Sequence, residues 1–371
     1  MTHDNIHEDS LQPPPVLLNP GPQYGSAQRK WQGIPGIEMT ARGRLYATWY
    51  SGGDKEGPAN YVLLAHSDND GEDWSAPELV IDPPGDIRAY DPVLWADPQG
   101  RLWLFWAQCH TWWNGRGGVW CIHCDDPDAD EPAWSEPRRI ANGVMMNKPL
   151  VLRNGDWLLP VAVWAAIPPV LPELKREALS SVLHSGDEGK TFTWLGGADI
   201  PHRHFDEHMI VERRDGSLWM LVRTRYGIGQ STSLDGGRTW SAGLPTDIGS
   251  PDTRFHVRRL PSGRLLFIGH YGFTERSHLT AMLSDDDGHT WPHRLLLDER
   301  EKVSYPDATC SEDSVIHAIY DRDRHGAREI LMARFEEQDI LAGDLISGRA
   351  YLRRLVDHPD AVPAEPALEK R

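Results

Sequence analysis

Six times along the chain a short apolar stretch, a turn containing Gly or Asp, and a second apolar stretch follow one another in the same order. The series runs IPGIEMTARGRLYATWY from Ile34, DPVLWADPQGRLWLFW from Asp91, KPLVLRNGDWLLPVAVW from Lys148, EHMIVERRDGSLWMLV from Glu207, RFHVRRLPSGRLLFIG from Arg254 and YPDATCSEDSVIHAIY from Tyr305. Each reads as a β-hairpin. Pairs such as Arg42-Gly43, Gln99-Gly100, Asn154-Gly155, Asp215-Gly216 and Ser262-Gly263 stand where hairpin turns need them. A second pattern alternates with the first. Ser67 to Trp74 (SDNDGEDW), Ser185 to Phe192 (SGDEGKTF), Ser233 to Trp240 (SLDGGRTW) and Ser284 to Trp291 (SDDDGHTW) share a spacing close to S-x-D-x-G-x-T-[WF]. Self-similarity at roughly 50 residues marks a repeat architecture with one small sheet per unit.

The elements of the second pattern have mechanical roles. Asp and Ser side chains satisfy backbone groups inside a tight turn, and Gly supplies a positive φ. The aromatic ring fills the wedge between neighbouring sheets. A degenerate copy, CDDPDADEPAWSEP, ends unit two, and unit six has none. Its last strand must come from residues around Arg349 to Val356 or from an N-terminal strand around Val16 to Leu18. The expected organisation is a flexible segment over 1–28, one propeller over 29–357 and a flexible tail over 358–371. Two insertions interrupt the spacing: His110 to Gly118, with Trp112 and Trp113, and Ala165 to Leu179, where PPVLPELKREAL suggests a helical turn.

Composition narrows the functional classes. A chain of 371 residues is long for one domain, but propellers run long. The net charge of -17 disfavours nucleic acid and anionic membrane surfaces as partners. The start, MTHDNIHEDS, has neither a basic region nor an apolar core, and no apolar run is long enough for a span, so a cytoplasmic location is expected. Cys121 and Cys124 have ligand-like spacing without a second pair, and the alternation in GVWCIHC makes them buried strand residues. His202, His204 and His208 fall on opposite faces of an extended segment, which argues against a metal. No cofactor is implied.

The repeated turn resembles the Asp-box, or BNR repeat, of sialidase-like proteins. The resemblance implies an all-β fold: a six-bladed β-propeller of four-stranded antiparallel blades. In such a fold the starts of the first strands and the ends of the second ring one mouth of the channel, where Arg88, Asp91, Lys148, Glu207, Arg254, Tyr305, His110, Arg223 and His270 would converge. So many ionisable groups in an apolar repeat suggest a site. Tyr305, in SYPDA, resembles the family's Tyr nucleophile. Glu207 and Arg223, in DEHMIVERRDGSLWMLVRT, resemble its activating Glu and a carboxylate-binding Arg, and Arg276 resembles the Arg before the last Asp-box. The family's R-I-P stretch is here Gly33-Ile34-Pro35, so one arm of the carboxylate clamp is missing. Arg88 or Lys148 are candidates to replace it. Asp54 is the nearest candidate for the acid/base, with Glu56 behind it.

The resemblance implies a hydrolase for a terminal acidic or unusual sugar. A carboxylate beside the anomeric centre would repel a carboxylate nucleophile, whereas a Tyr is neutral at rest. Two alternatives stand beside it. A lyase acting on a uronate glycan would use Tyr305, His110 or His270 as base, with Arg88, Lys148 or Arg254 neutralising the carboxylate. A non-catalytic glycan-binding propeller is the other, since fold does not fix function. Glu207 and Arg223 also read as a structural ion pair, Tyr305 as a core aromatic, and the tandem Trp as rim packing.

Overall fold

The computed structural model describes residues 9–110, 113, 115–165, 171–359 and 368–369. Its strands form six antiparallel sheets, the blades of a propeller. The innermost strands are Gln32–Met39, Ile87–Ala96, the split pair Val144–Met145 and Leu150–Val151, Met209–Glu212, His256–Arg259 and Val303–Cys310. Each pairs outward with the second strand of its hairpin, as the apolar pattern predicts. Blades pack on both faces, so the polar alternation of an ordinary antiparallel sheet disappears. Leu45–Ser51 is buried at every position.

The Asp-box turns are closed by their own side chains. In the third blade Ser185 Oγ donates to Asp187 Oδ1, while that carboxylate accepts the Thr191 backbone N–H at 2.9 Å and its hydroxyl at 2.6 Å. Blade one substitutes Asn69 and Asp73: the Asp73 N–H still donates to Asn69 Oδ1 at 2.9 Å, but the side-chain bond reverses, with Asn69 Nδ2 donating to Asp73 Oδ2 at 3.0 Å. Gly189 has φ of 80°, and a Cβ there would lie 2.5 Å from the Trp157 ring. Both the turn and the close approach of that Trp require glycine.

Blade six is completed by Tyr351–Asp357, which pairs with Glu329–Glu336, and Leu368–Glu369 adds to it. Val16–Leu18 instead extends the outer edge of blade one. The lead-in expected to be loose is therefore attached from residue 9 onward: Gln108 Nε2 donates to the carbonyls of Ser10 and Gln12, and Tyr24 donates to Asp82 at 2.7 Å. The insertion within blade three, between Trp157–Ala162 and Ser180–Ser185, carries the 3-10 turn Pro172–Glu177, as expected. Cys121 and Cys124 are buried strand residues, as expected, and none of the four cysteines is in a disulfide. Among the described residues no helix is long and apolar enough to cross a membrane.

Three innermost strands slip register at the same depth, between Gly33 and Gly36, Tyr90 and Val93, and Ser304 and Asp307. Each slip contains a residue followed by proline: Ile34-Pro35, Asp91-Pro92 and Tyr305-Pro306. The residues before proline have φ of 57°, 50° and 55°. A side-chain-bearing residue avoids that region, and more so before proline. Such bulges re-aim a side chain and gather next to active sites.

The ring is held shut where blade one meets blade six. Asp70, in the first Asp-box, faces His317 Nε2 at 2.7 Å and both Arg334 Nε and Arg349 Nη2 at 2.9 Å. The hydrogen bond from His317, with the charges of that ring and both guanidiniums, holds its carboxyl at about 2 against the opposing effect of burial. A depressed carboxyl stabilises the fold above its unfolded value, near 3.9, and loses that contribution as pH falls through about 2. Asp70→Asn is therefore expected to lower unfolding free energy at neutral pH by about 1–3 kcal/mol, and by less below pH 3. Urea unfolding at both pH values checks this. An equal loss at both would refute the charge-based latch.

Candidate active site

Tyr305, Glu207 and Arg223 meet at one mouth of the channel. Tyr305 Oη donates to Glu207 Oε1 at 3.1 Å, and Arg223 Nη1 approaches the same carboxylate oxygen at 2.5 Å and Tyr305 Oη at 3.1 Å. All three side chains are buried. Burial, reinforced by the negative Glu207, raises the Tyr305 phenol above its ordinary value. The phenol is thus neutral at rest and hydrogen-bonded to a carboxylate able to accept its proton. Burial works against the charge on Arg223, but Glu207, Tyr305 and Asp252 outweigh it and the guanidinium is held charged.

Two further arginines flank the phenol ring. The guanidinium carbon of Arg276 lies 5.3 Å from the Tyr305 ring centroid, and that of Arg324 lies 4.7 Å away. Arg324 enters from the turn after the second strand of blade six and occupies the space beside Gly33. A Cβ on Gly33 would come within 2.2 Å of Arg324 Cδ. The side chain beside Gly33 is thus that of Arg324, and neither Arg88 nor Lys148 takes that place. Arg324 Nη1 donates to Glu56 Oε1 at 2.9 Å, and its Nε lies 3.7 Å from Asp321. Asp252 ties the other two arginines together. Its Oδ1 accepts from Arg223 Nε at 2.5 Å, its backbone carbonyl accepts from Arg276 at 3.2 Å, and its Oδ2 faces His204 Nδ1 at 2.5 Å.

A small cavity of about 70 Å³ opens beside Tyr305, lined among others by Glu56, Arg88, Asp91, Trp164, Phe205 and Glu207. Arg88 lies over the Tyr90 ring at 3.9 Å. Trp113 stacks on Trp164, with ring centroids 4.4 Å apart, and so packs against the mouth; Trp112 lies outside the described residues. On the far side of the two flanking arginines is a second hollow of about 360 Å³, bounded by Arg276, Lys302, Ser304, Arg324 and His325.

Other expected site residues lie elsewhere. Asp54 is exposed and pairs with Lys30 at 3.3 Å, so it is not in the cavity; Glu56, two residues on, is. The wide loop after Ser51 turns Asp54 to solvent. Lys148 is deep in the channel, donating to the carbonyls of Ile37 and Leu94 at 2.6 Å and to Glu38 at 3.0 Å. It lines the 530 Å³ hollow at the opposite mouth. The split in blade three's innermost strand carries it inward. Arg254 is fully buried, with Nη2 3.8 Å from Asp307. His110 lines a groove with Pro13, Pro14 and Pro15, away from Tyr305. His270 is buried with Nδ1 on the Ser277 carbonyl at 2.8 Å, and burial lowers it to about 4. His208 is bonded to the Ser181 carbonyl, and among the described residues no cluster of three or more His, Cys, Asp or Glu is placed to hold a metal.

The BNR repeat-like domain family matches residues 43–318, about three-quarters of the chain. The chain belongs to that family. No curated protein sequence matches it. Among solved structures, its fold is similar to the Hadza microbial sialidase Hz136, at 21% identity and a TM-score of 0.67, with 85% of this chain and 69% of that one covered. The intramolecular trans-sialidase from Ruminococcus gnavus aligns at 15% identity and a TM-score of 0.67, over 88% of this chain and 98% of that one. The leech intramolecular trans-sialidase gives 14% and 0.67, over 89% and 71%. At such identities these structures establish a common sialidase-like fold.

Of the residues that complete the mouth, Arg324 and Asp252 were not legible as site residues. Arg324 sits in the turn DRDRHG, beyond the strand ends that the blade pattern marks. Its only signal is the missing side chain at Gly33. If Arg324 fills that space, Gly33→Ala overpacks it and should destabilise the protein by about 1–3 kcal/mol. The same substitution in an Arg324→Ala background should cost much less. A double-mutant cycle by thermal or urea unfolding measures the difference, and full additivity would contradict the substitution of one arm by the other.

Proposed function

We propose that this BNR-family protein is a glycoside hydrolase that removes a terminal acidic sugar from a glycan, with Tyr305 as nucleophile. The observation that carries this reading is the shared bonding of Tyr305, Glu207 and Arg223. Tyr305 Oη would attack the anomeric carbon as its proton passes to Glu207 Oε1. The glycosidic bond breaks, and water later releases the sugar from the Tyr305 ether while Glu207 returns the proton. Arg223, Arg276 and Arg324 surround the ring where a substrate carboxylate would lie, and guanidinium forks suit such a group. The fold shared with sialidases, one of them in complex with oseltamivir carboxylate, supports the same class. A lyase reading has less support, because His110 and His270 do not line the cavity with Tyr305.

The test is a panel of aryl sialosides and uronides. A hydrolase releases a reducing sugar, a lyase an unsaturated product absorbing in the near ultraviolet, and a binding protein neither. Tyr305→Phe keeps the ring and removes the attacking oxygen. Turnover should fall by orders of magnitude while the melting temperature stays near that of the wild type. Near wild-type turnover in the folded variant would end the covalent mechanism.

The clamp has its own check. Arg276 donates to the Asp252 backbone carbonyl and, among the described residues, pairs with no carboxylate, so its loss leaves no buried carboxylate unpaired. Arg276→Ala should weaken an acidic sugar by roughly 10-fold or more, a charge-assisted bond of about 1.5–3 kcal/mol, and leave its neutral analogue nearly unchanged. Calorimetric titration of the pair measures this, and equal losses would reject the clamp.

A further inference from the structure

A glycosidic oxygen leaving from the Tyr305 cavity needs a proton, and Asp54, the expected donor, faces solvent beside Lys30. Asp91 stands at the cavity instead. It is 3% exposed, it lines the same hollow as Tyr305 and Glu207, and among the described residues its carboxyl has no hydrogen-bond or ion-pair partner. A buried carboxyl without a partner is costly for folding, so it points to a group that arrives with a ligand. The backbone gives a second, independent indication. Asp91-Pro92 occupies in blade two the register slip that Tyr305-Pro306 occupies in blade six, with nearly the same positive φ. The strained geometry that aims the Tyr305 side chain is repeated to aim Asp91.

We propose that Asp91 is the proton donor to the departing group, and the proton acceptor from water in the second step. This rests on the hydrolase reading above. In the first step Tyr305 Oη bonds to the anomeric carbon and loses its proton to Glu207. The bond from that carbon to the glycosidic oxygen breaks, and the oxygen takes the Asp91 proton, leaving Asp91 as carboxylate. In the second step water bonds to the anomeric carbon and gives a proton to Asp91, while Tyr305 departs and recovers its own from Glu207. Both carboxyl groups end as they began.

The surroundings suit the resting state this requires. Burial dominates and raises the Asp91 carboxyl to about 8; Arg88 and Arg254 oppose the shift, and Glu56 and Glu207 add to it. Tyr50, Tyr90 and Tyr305 also line the cavity and are themselves raised by burial, so they are neutral, and the other walls, Ile34, Met146, Trp164 and Phe205, carry no charge. Glu56 shares the cavity but already accepts from Arg324 at 2.9 Å and is partly exposed. A protonated Asp91 can give its proton near neutral pH, whereas the Glu56 carboxyl is already bonded to a guanidinium.

Leaving-group dependence tests the assignment. Asp91→Asn keeps the shape and a neutral hydrogen-bonding group, so the fold should be retained, which a thermal melt verifies. On methyl glycosides of the acidic sugar that the wild type cleaves, the variant should lose about 10²–10⁴-fold in kcat/KM. On the 4-nitrophenyl glycoside of that sugar, whose leaving group needs no proton, the loss should be less than about 10-fold. The fall in wild-type kcat/KM as pH rises through the Asp91 value should also vanish for Asp91→Asn on the nitrophenyl substrate. Equal losses on both substrates, no loss on either, or the selective pattern appearing in Glu56→Gln instead would overturn the proposal. If Asp91→Asn fails to fold, Asp91→Glu, which keeps the acid, must retain methyl glycoside cleavage above Glu56→Gln, and the reverse order overturns it. If the wild type cleaves no acidic glycoside at all, the hydrolase reading falls and this role falls with it.

Discussion

Everything at the mouth depends on the ring closing between blade six and blade one. Tyr305 and Arg324 belong to the last blade, while Gly33 and Glu56 belong to the first, so these groups meet only across that seam. Asp70 facing His317, Arg334 and Arg349 makes one fastening, and Arg29 on Asp357 at 2.7 Å makes another. A third lies close to the site itself. Asp321 accepts the Ile34 backbone N–H at 2.8 Å and sits beside the Arg324 stem that fills the gap at Gly33. Closing the ring and seating Arg324 beside Gly33 are thus one event.

The buried charges divide into two storeys. Below the mouth, Lys148 pairs with both Glu38 and Asp307: Asp307 is held well below the usual carboxylate range because Lys148 and His256 outweigh burial. That cluster ties innermost strands of separate blades. At the mouth, Glu207 and Arg223 are paired yet also reach Tyr305, and Asp91 is left without a partner among the described residues. Breaking a buried pair by removing one partner is costly, whereas an engaged structural cluster tolerates little change. The contrast separates groups that hold the channel from groups that can meet a ligand.

Backbone strain follows the same division. Ile34, Asp91 and Tyr305 adopt positive φ before proline, and Glu207, which precedes His208, has a positive φ of 43°. None of these is a turn glycine: Ile34, Asp91 and Tyr305 lie within innermost strands, and Glu207 lies just before one. Strained conformations of this kind persist only when surrounding packing over-determines them. Here the packing is that of the neighbouring blades, which fix the innermost strands on both sides.

The amino-acid sequence by itself determined the blade count, the hairpins and the Asp-box turns, because these rest on local chemistry: apolar runs of strand length, Gly where φ is positive, and Ser, Asp and Thr side chains that bond within eight residues of one another. It also marked Tyr305, Glu207, Arg223 and Arg276, which stand at fixed places in that repeat. Tertiary structure alone decided the remainder. Whether Val16–Leu18 or Tyr351–Asp357 finishes blade six depends on which edge each strand meets, and both candidates are apolar enough. Lys148 and Asp54 carry suitable charges, but one is drawn into the channel and the other turned to solvent by loops whose course no local pattern encodes. Arg324 beside Gly33 is a contact across 291 positions of chain, and only closure of the ring, which leaves a space the width of one missing side chain, selects it.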